Sequence, residues 1–239
     1  MYLFWLLVIV FFFYSVVGYI VEVTSCSIHN HKLTLSRGYL IGPYIPIFGF
    51  GGLFMTTILG RYQNDIVSLF INSMVYCCLL EYFTSLILEK IFNLRWWDYS
   101  NRKFNINGRI CLENGILFGV AGVILVEFFH PILLDFLYSF SNNTIYILGI
   151  VFLTIILSDF CLSTFTISKL KLDTKKYMNM DSTEIIREEL MKSLHKYRFF
   201  YKRIFKAFPS IKLNNNITKL REFYEEQKKY LFKNKKTSK

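Results

Sequence analysis

The chain reads as an all-α membrane protein with five transmembrane helices, its N-terminus outside, its C-terminus inside, and a basic helical cytoplasmic tail. Three observations predict this. Of the 239 residues, 53% are hydrophobic and 18% aromatic, with mean hydropathy +0.35. The apolar residues gather in runs near the ~20 needed to cross a ~30 Å hydrocarbon core at about 1.5 Å per residue. Charge is segregated: residues 169–239 hold 20 of the 28 Lys+Arg and 8 of the 17 Asp+Glu, a net +12, against −1 for 1–168. Finally, the cations between the runs alternate. Lys32 and Arg37, then Lys90, Arg95, Arg102, Lys103 and Arg109, then the tail, fall on one side, and Arg61 falls on the other. The positive-inside rule makes the crowded side cytoplasmic. A transmembrane domain over 1–168 and a basic tail over 169–239 follow, with spans expected at about 2–24, 43–60, 66–90, 112–137 and 145–168.

The first run lacks a basic leader and is too long for a signal-peptide core, which predicts a retained helix. Ser15, Gly18, Glu22 and Cys26 share one of its faces. A loop with His29, His31, Lys32 and Arg37 follows. The second run opens with Gly38, Gly42, Pro43 and Pro46 and continues through Gly49, Gly51 and Gly52. It is either a broken, re-entrant entry lining a cavity or a Pro-initiated helix packed tightly through its glycines. In the third run Glu81, Ser85 and Glu89 recur every four residues, so they lie along one side. The fourth carries Gly115-x-x-x-Gly119 and Gly122 as a close-packing face. Further out on it, Glu127 and His130 are spaced to pair. Asp159, Ser163 and Thr166 share a face of the fifth.

In the tail, Asp181-Ser-Thr-Glu184 resembles a helix N-terminal cap. Ile186, Leu190, Leu194 and Tyr197 then recur at helical spacing as far as Pro209, and Ile217, Leu220, Phe223 and Leu231 suggest a second helix. The run 199–206 mixes aromatics with cations, which suits an anionic inner leaflet; a hairpin packed on itself or a partner would use the same residues. Beside a membrane domain the basic tail points to lipid, not nucleic acid. The five cysteines include none in an outside loop, so reduced thiols are expected.

The candidate site is a polar cavity open to the cytoplasm. Glu81 lies nine residues before Lys90 and Asp159 ten before Lys169, which places them ~13 and ~15 Å from the inner boundary at 1.5 Å per residue. An acid at that depth costs roughly 2.5–3.5 kcal/mol or more unless it is paired, protonated or turned into the bundle. Glu22, Glu89 and Glu113 sit nearer the boundary, with Arg37, Arg95 and Arg109 as partners. Asp98, Asn105, Asn107 and Arg109 crowd the loop between the third and fourth spans more densely than a plain linker requires. These acids, with Arg37, Arg109 and the two asparagines, form the expected substrate-binding set. The same residues would also serve as ion pairs that fix helix packing. Trp96-Trp97 fits an interfacial aromatic belt. His29-x-His31 lacks a third ligand in its loop, so neither metal nor cofactor is expected. There is no G-x-x-x-x-G-K-[ST], H-E-x-x-H or G-x-S-x-G, and no catalytic motif is recognised.

Residues 38–51, Glu81-Tyr through Glu89, Trp97-Asp-Tyr-Ser100, Phe104-Asn-Ile-Asn-Gly-Arg-Ile-Cys-Leu112 and Gly115 to Gly119 resemble the bacterial family called Putative ABC-transporter type IV, the CmpB-like permease proteins, over roughly 5–165. The resemblance implies a multi-pass permease of the bacterial cytoplasmic membrane and brings no catalytic or ligand residues to transfer. It implies a separate ATPase subunit as partner, because this chain has no P-loop, with the 91–111 loop and the tail as docking surfaces. Anionic lipids are the other expected partner, and self-association into an oligomer stays open. Two alternatives stand beside the permease: a membrane enzyme or lipid-handling protein acting on a lipid or lipid-linked substrate through Glu81, Asp159 and Arg109, and a non-catalytic scaffold recruiting partners through its tail.

Overall fold

Four of the five apolar runs form helices long and apolar enough to cross a membrane: Tyr2–Ile28, Ile66–Phe92, Leu112–Tyr138 and Asn142–Leu170. The computed structural model describes residues 1–29, 31–35, 38–92 and 95–178, together with Tyr197, Phe199, Phe200, Arg203 and Ala207. Arg37 and the two expected tail helices lie outside the described residues. Helix α1 spans Tyr2–His29, α2 Pro46–Ile58, α3 Ile66–Phe92, α4 Leu112–Ile124, α5 His130–Tyr138 and α6 Asn142–Met178. The only strands among the described residues are the two-residue β1 (Asn105–Ile106) and β2 (Ile110–Cys111).

The second run forms a shorter element than its neighbours. Pro46 sits in the first turn of α2, where its missing N–H costs nothing and its fixed φ suits the helix. Its glycines face other helices: a Cβ on Gly49 would lie 2.3 Å from Ser15 Oγ of α1, so the two backbones approach as only glycine permits. Both features of the sequence reading are present: the chain enters through a non-helical segment before Pro46 and then packs as a short helix through its glycines. Thirteen residues give ~20 Å of helix, and a 3-10 turn over Leu59–Tyr62 follows it. Asp65 then caps α3, accepting the Ser68 N–H at 3.0 Å. The Ser68 hydroxyl and then that N–H hold the Asp65 carboxyl below its usual range.

Helices α4 and α5 form one span joined by a π turn over Leu125–Phe129, in which the His130 N–H reaches back to the Leu125 carbonyl. Pro131 explains the wider turn, since it lacks an N–H and its ring would strike the carbonyl four residues earlier. The expected Glu127–His130 pair does not form. His130 Nδ1 instead hydrogen bonds Tyr14 Oη of α1 at 2.6 Å, because the π turn shifts the two side chains off a shared face.

The principal packings are α3 on α4, α1 on α2 and α1 on α6. Gly115, Gly119 and Gly122 let α4 close on α3; a Cβ on Gly122 would lie 2.2 Å from Ser73 Oγ. One apolar core joins Leu6, Ile9, Val10 and Tyr14 to Leu133, Leu137 and Ile145, and a second joins Met55, Leu59, Leu69, Cys77 and Val126. Much apolar surface points outward, including Phe83, Leu117, Phe128 and Ile147, as lipid-facing helices require. None of the five cysteines forms a disulfide.

Candidate functional site

The polar residues gather at one end of the bundle, where two connecting segments meet. Tyr39 of the segment before α2 packs its ring 5.6 Å from that of Trp96 and 5.9 Å from that of Phe92. Trp96 is 4% exposed. It therefore cements the two segments together and does not stand in an interfacial belt.

The segment between α3 and α4 folds into a hairpin. Asn105 pairs with Cys111 and Ile106 with Ile110. Asn107 and Gly108 both have positive φ, and the Arg109 N–H donates to the Ile106 carbonyl at 3.0 Å, the geometry that Asn-Gly favours. Asn105 closes the base: its Nδ2 donates to the Arg102 carbonyl at 2.8 Å and its Oδ1 accepts the Gly108 N–H at 3.0 Å. Asp98 accepts from the Ser100 N–H at 3.0 Å and lies 3.8 Å from Arg95, whose guanidinium also reaches the Asn107 carbonyl. Asp98 and Asn105 thus shape the loop itself.

The hairpin docks on the polar stripe of α3. Arg109 Nη1 lies 2.7 Å from Glu89 Oε2 and donates to Ser85 Oγ at 3.0 Å, with its guanidinium 5.8 Å from the Tyr82 ring centre. Asn107 Nδ2 donates to Tyr82 Oη at 3.0 Å, and Trp97 Nε1 donates to the Arg109 carbonyl at 3.0 Å. One turn deeper, Tyr99 Oη donates to Glu81 Oε1 at 3.0 Å. Burial first, and then the Glu81 charge, push the Tyr99 phenol above its usual range. Glu81 is 8% exposed, and its Oε2 is buried with no hydrogen-bond partner among the described residues. Glu22 of α1 completes the cluster. It accepts from Cys26 Sγ at 3.3 Å, and its charge bears on Tyr99 and Glu81.

Asp159 has a different setting. It is equally buried at 8% exposed, yet it accepts four donors: the Ile41 N–H at 2.9 Å, the Gly42 N–H at 2.7 Å, Tyr44 Oη at 2.7 Å and Ser163 Oγ at 2.9 Å. Tyr39 Oη adds a bond to Thr164 Oγ1 at 2.6 Å. The carboxylate pins the glycine-rich entry of α2 onto α6. A small cavity beside it is lined by Tyr39, Ser163 and Thr166, with Phe200 and Arg203 of the tail.

The structure therefore brings Glu22, Glu81, Glu89, Asn107 and Arg109 together and places Asp159 in a separate network. Glu113 lies at the surface, 3.1 Å from Arg102 in a largely exposed pair. Tyr82, Tyr99 and Tyr44 were not expected in these networks. The aromatic density of the loop hinted at Tyr99, but nothing in the sequence separates the buried Tyr44 from aromatics that face lipid. Among the described residues no group of three His, Cys, Asp or Glu side chains is placed to hold a metal ion.

A match to the family described as Putative ABC-transporter type IV covers residues 9–164, well over half the chain. The chain belongs to this family. The match takes in the helical bundle and the hairpin and ends before the basic tail. No curated protein and no solved structure matches the chain. For this family member, the helices and the match together describe a multi-pass membrane protein of transporter type.

Proposed function

We propose that this chain is the membrane-spanning permease of a transporter, with five spans, the N-terminus outside, and the Glu81 cluster facing the cytoplasm of a bacterial cell. In this arrangement α2 and its 3-10 turn make the short fifth span, which puts both polar segments and the tail on the cation-rich side. The observation that carries the reading is Glu81: a buried acid with one committed oxygen and one bare oxygen, at the point where a loop enters the bundle. A merely structural acid would be saturated, as Asp159 is. Glu22, Glu89, Asn107 and Arg109 are the flanking binding residues. The chain carries no P-loop, so energy from ATP would come through a separate subunit docking on the 95–111 hairpin and the tail. Gentle extraction from the native membrane tests this. A co-purifying ATPase in fixed ratio, with ATP-dependent transport after reconstitution, is the expected result. Recovery without any ATPase, with transport indifferent to ATP, overturns the ABC assignment.

A lipid-handling role is the second reading, and the hairpin tip favours it. Phe104 is 79% and Ile106 56% exposed, beside Arg102 and Lys103. That pairing of apolar side chains with cations suits the headgroup boundary. A retained lipid without an ATPase would move the assignment there.

A further inference from the structure

The bare oxygen of Glu81 raises a question of charge balance. Tyr99 donates to Glu81 as a neutral hydroxyl, and Glu22 of α1 is the other carboxylate whose charge bears on both. The nearby described cations are committed: Arg109 to Glu89 and Ser85, and Arg95 to Asp98 and the Asn107 carbonyl. The other titratable groups around Glu81 are thiols, namely Cys26 beside Glu22, Cys77 and Cys78 on α3, and Cys111 at the start of α4. None supplies positive charge. A divalent metal would want six or more oxygen ligands for Ca²⁺ or a near-octahedral shell for Mg²⁺, and no such group is present among the described residues. A carboxylate oxygen buried without a donor is costly to keep ionised. The ligand that fits a single free carboxylate oxygen in a closely packed space is a proton.

We propose that Glu81 is a reversible proton-binding site of the transporter, with its Oε2 as the oxygen protonated and Tyr99 fixing Oε1. The step is a simple protonation: one O–H bond forms on Oε2, the carboxylate becomes a neutral acid, and nothing is oxidised or reduced. The buried face of α3 extends the polar character outward, since Cys77 and Ser73 follow Glu81 at four-residue spacing. Ser73 Oγ is buried with no partner among the described residues. The proposal rests on reading this cluster as the working site, and it names the ligand that couples there.

Infrared difference spectroscopy of the full-length protein in lipid nanodiscs, with pH stepped between acid and alkaline, reads the proton directly and needs no transport substrate or ATPase. The wild type is expected to show a protonated carboxylic-acid carbonyl band that Glu81→Gln removes and Glu113→Gln leaves unchanged. Tyr99→Phe, which deletes the donor to Oε1, is expected to move that band to higher frequency. Absence of the band in folded wild type, or its survival in Glu81→Gln, overturns the proposal. If Glu81→Gln does not fold, Tyr99→Phe decides: a band that stays in place overturns the assignment, and a shifted one supports it. A proton found here in a protein lacking any ATPase partner would leave this inference standing while removing the ABC assignment.

Discussion

Glu81 and Asp159 are the same kind of group at nearly the same expected depth, and both are 8% exposed, yet their surroundings differ in kind. Asp159 receives two backbone N–H groups and two hydroxyls, so its charge is spread over four donors. Glu81 receives one phenol on one oxygen and leaves the other bare. A saturated carboxylate fixes backbone. An unsaturated one in the same medium is poised to take a ligand. Burial alone, or a computation of depth from sequence, does not separate the two; the donor count does.

The largest effect is expected from emptying the saturated site. Asp159→Ala leaves the Ile41 and Gly42 amides and the Tyr44 hydroxyl unpaired at about 1–3 kcal/mol for each group that water cannot reach. We expect a loss of roughly 3–9 kcal/mol, seen as a lower unfolding temperature in detergent and as proteolysis of the 38–45 segment. Stability close to wild type would break the comparison.

Arg109→Ala is expected to cost less, about 1–2 kcal/mol, because the Glu89 pair is partly exposed and only the Ser85 bond and the Tyr82 contact are sheltered. Its readout is local: the hairpin should detach and Trp97 fluorescence should shift, with the helices intact. Loss of the whole fold would mean that the hairpin is a structural keystone like the Asp159 staple.

The Tyr99 bond carries a pH dependence whose sign follows from its raised phenol. A group held above its unfolded value contributes stability that is complete below that value, about 10 for tyrosine. The contribution is lost as pH rises above it toward the still higher folded value. Hairpin docking, followed by Trp97 fluorescence, should therefore weaken above about pH 10, and Tyr99→Phe should remove that alkaline step. The same step persisting in Tyr99→Phe would assign it elsewhere. Smallest of all, Arg102→Ala breaks an exposed pair with Glu113 and should change stability by less than about 0.5 kcal/mol; a larger loss would show that the hairpin tip bears on the core.

The long spans were legible because hydrophobic run length alone decides them. Observed α3 and the Leu112–Tyr138 span begin where the sequence placed them and end within two residues of it. The shape of α2 was legible only as a choice, since prolines and glycines suit both a broken entry and a tight helix. The glycine contacts with Ser15 and Tyr14 come from tertiary packing that no local pattern carries. At the site, the four-residue spacing of Glu81, Ser85 and Glu89 correctly announced one polar face. The hairpin was missed although Asn107-Gly108 signals such a turn, because its strands are only two residues long. That Asp159 would be saturated depends on backbone amides supplied from 118 residues away in sequence, so no reading of its own neighbours reveals it. Glu127 and His130 fail for a related reason: spacing implies a shared face only while the helix stays α, and Pro131 breaks that assumption.

The most direct measurement is the pair of near-isosteric variants Asp159→Asn and Glu81→Gln, unfolded side by side in the same detergent. An amide at 159 must turn an NH₂ toward donors and so loses about two bonds. An amide at 81 keeps an acceptor for Tyr99 and puts its NH₂ where the wild-type oxygen already has no partner. The expected result is a loss of roughly 2–4 kcal/mol for Asp159→Asn and a change within about 1 kcal/mol for Glu81→Gln. Equal, large losses in both would contradict the central claim, because Glu81 would then be a structural acid like its counterpart.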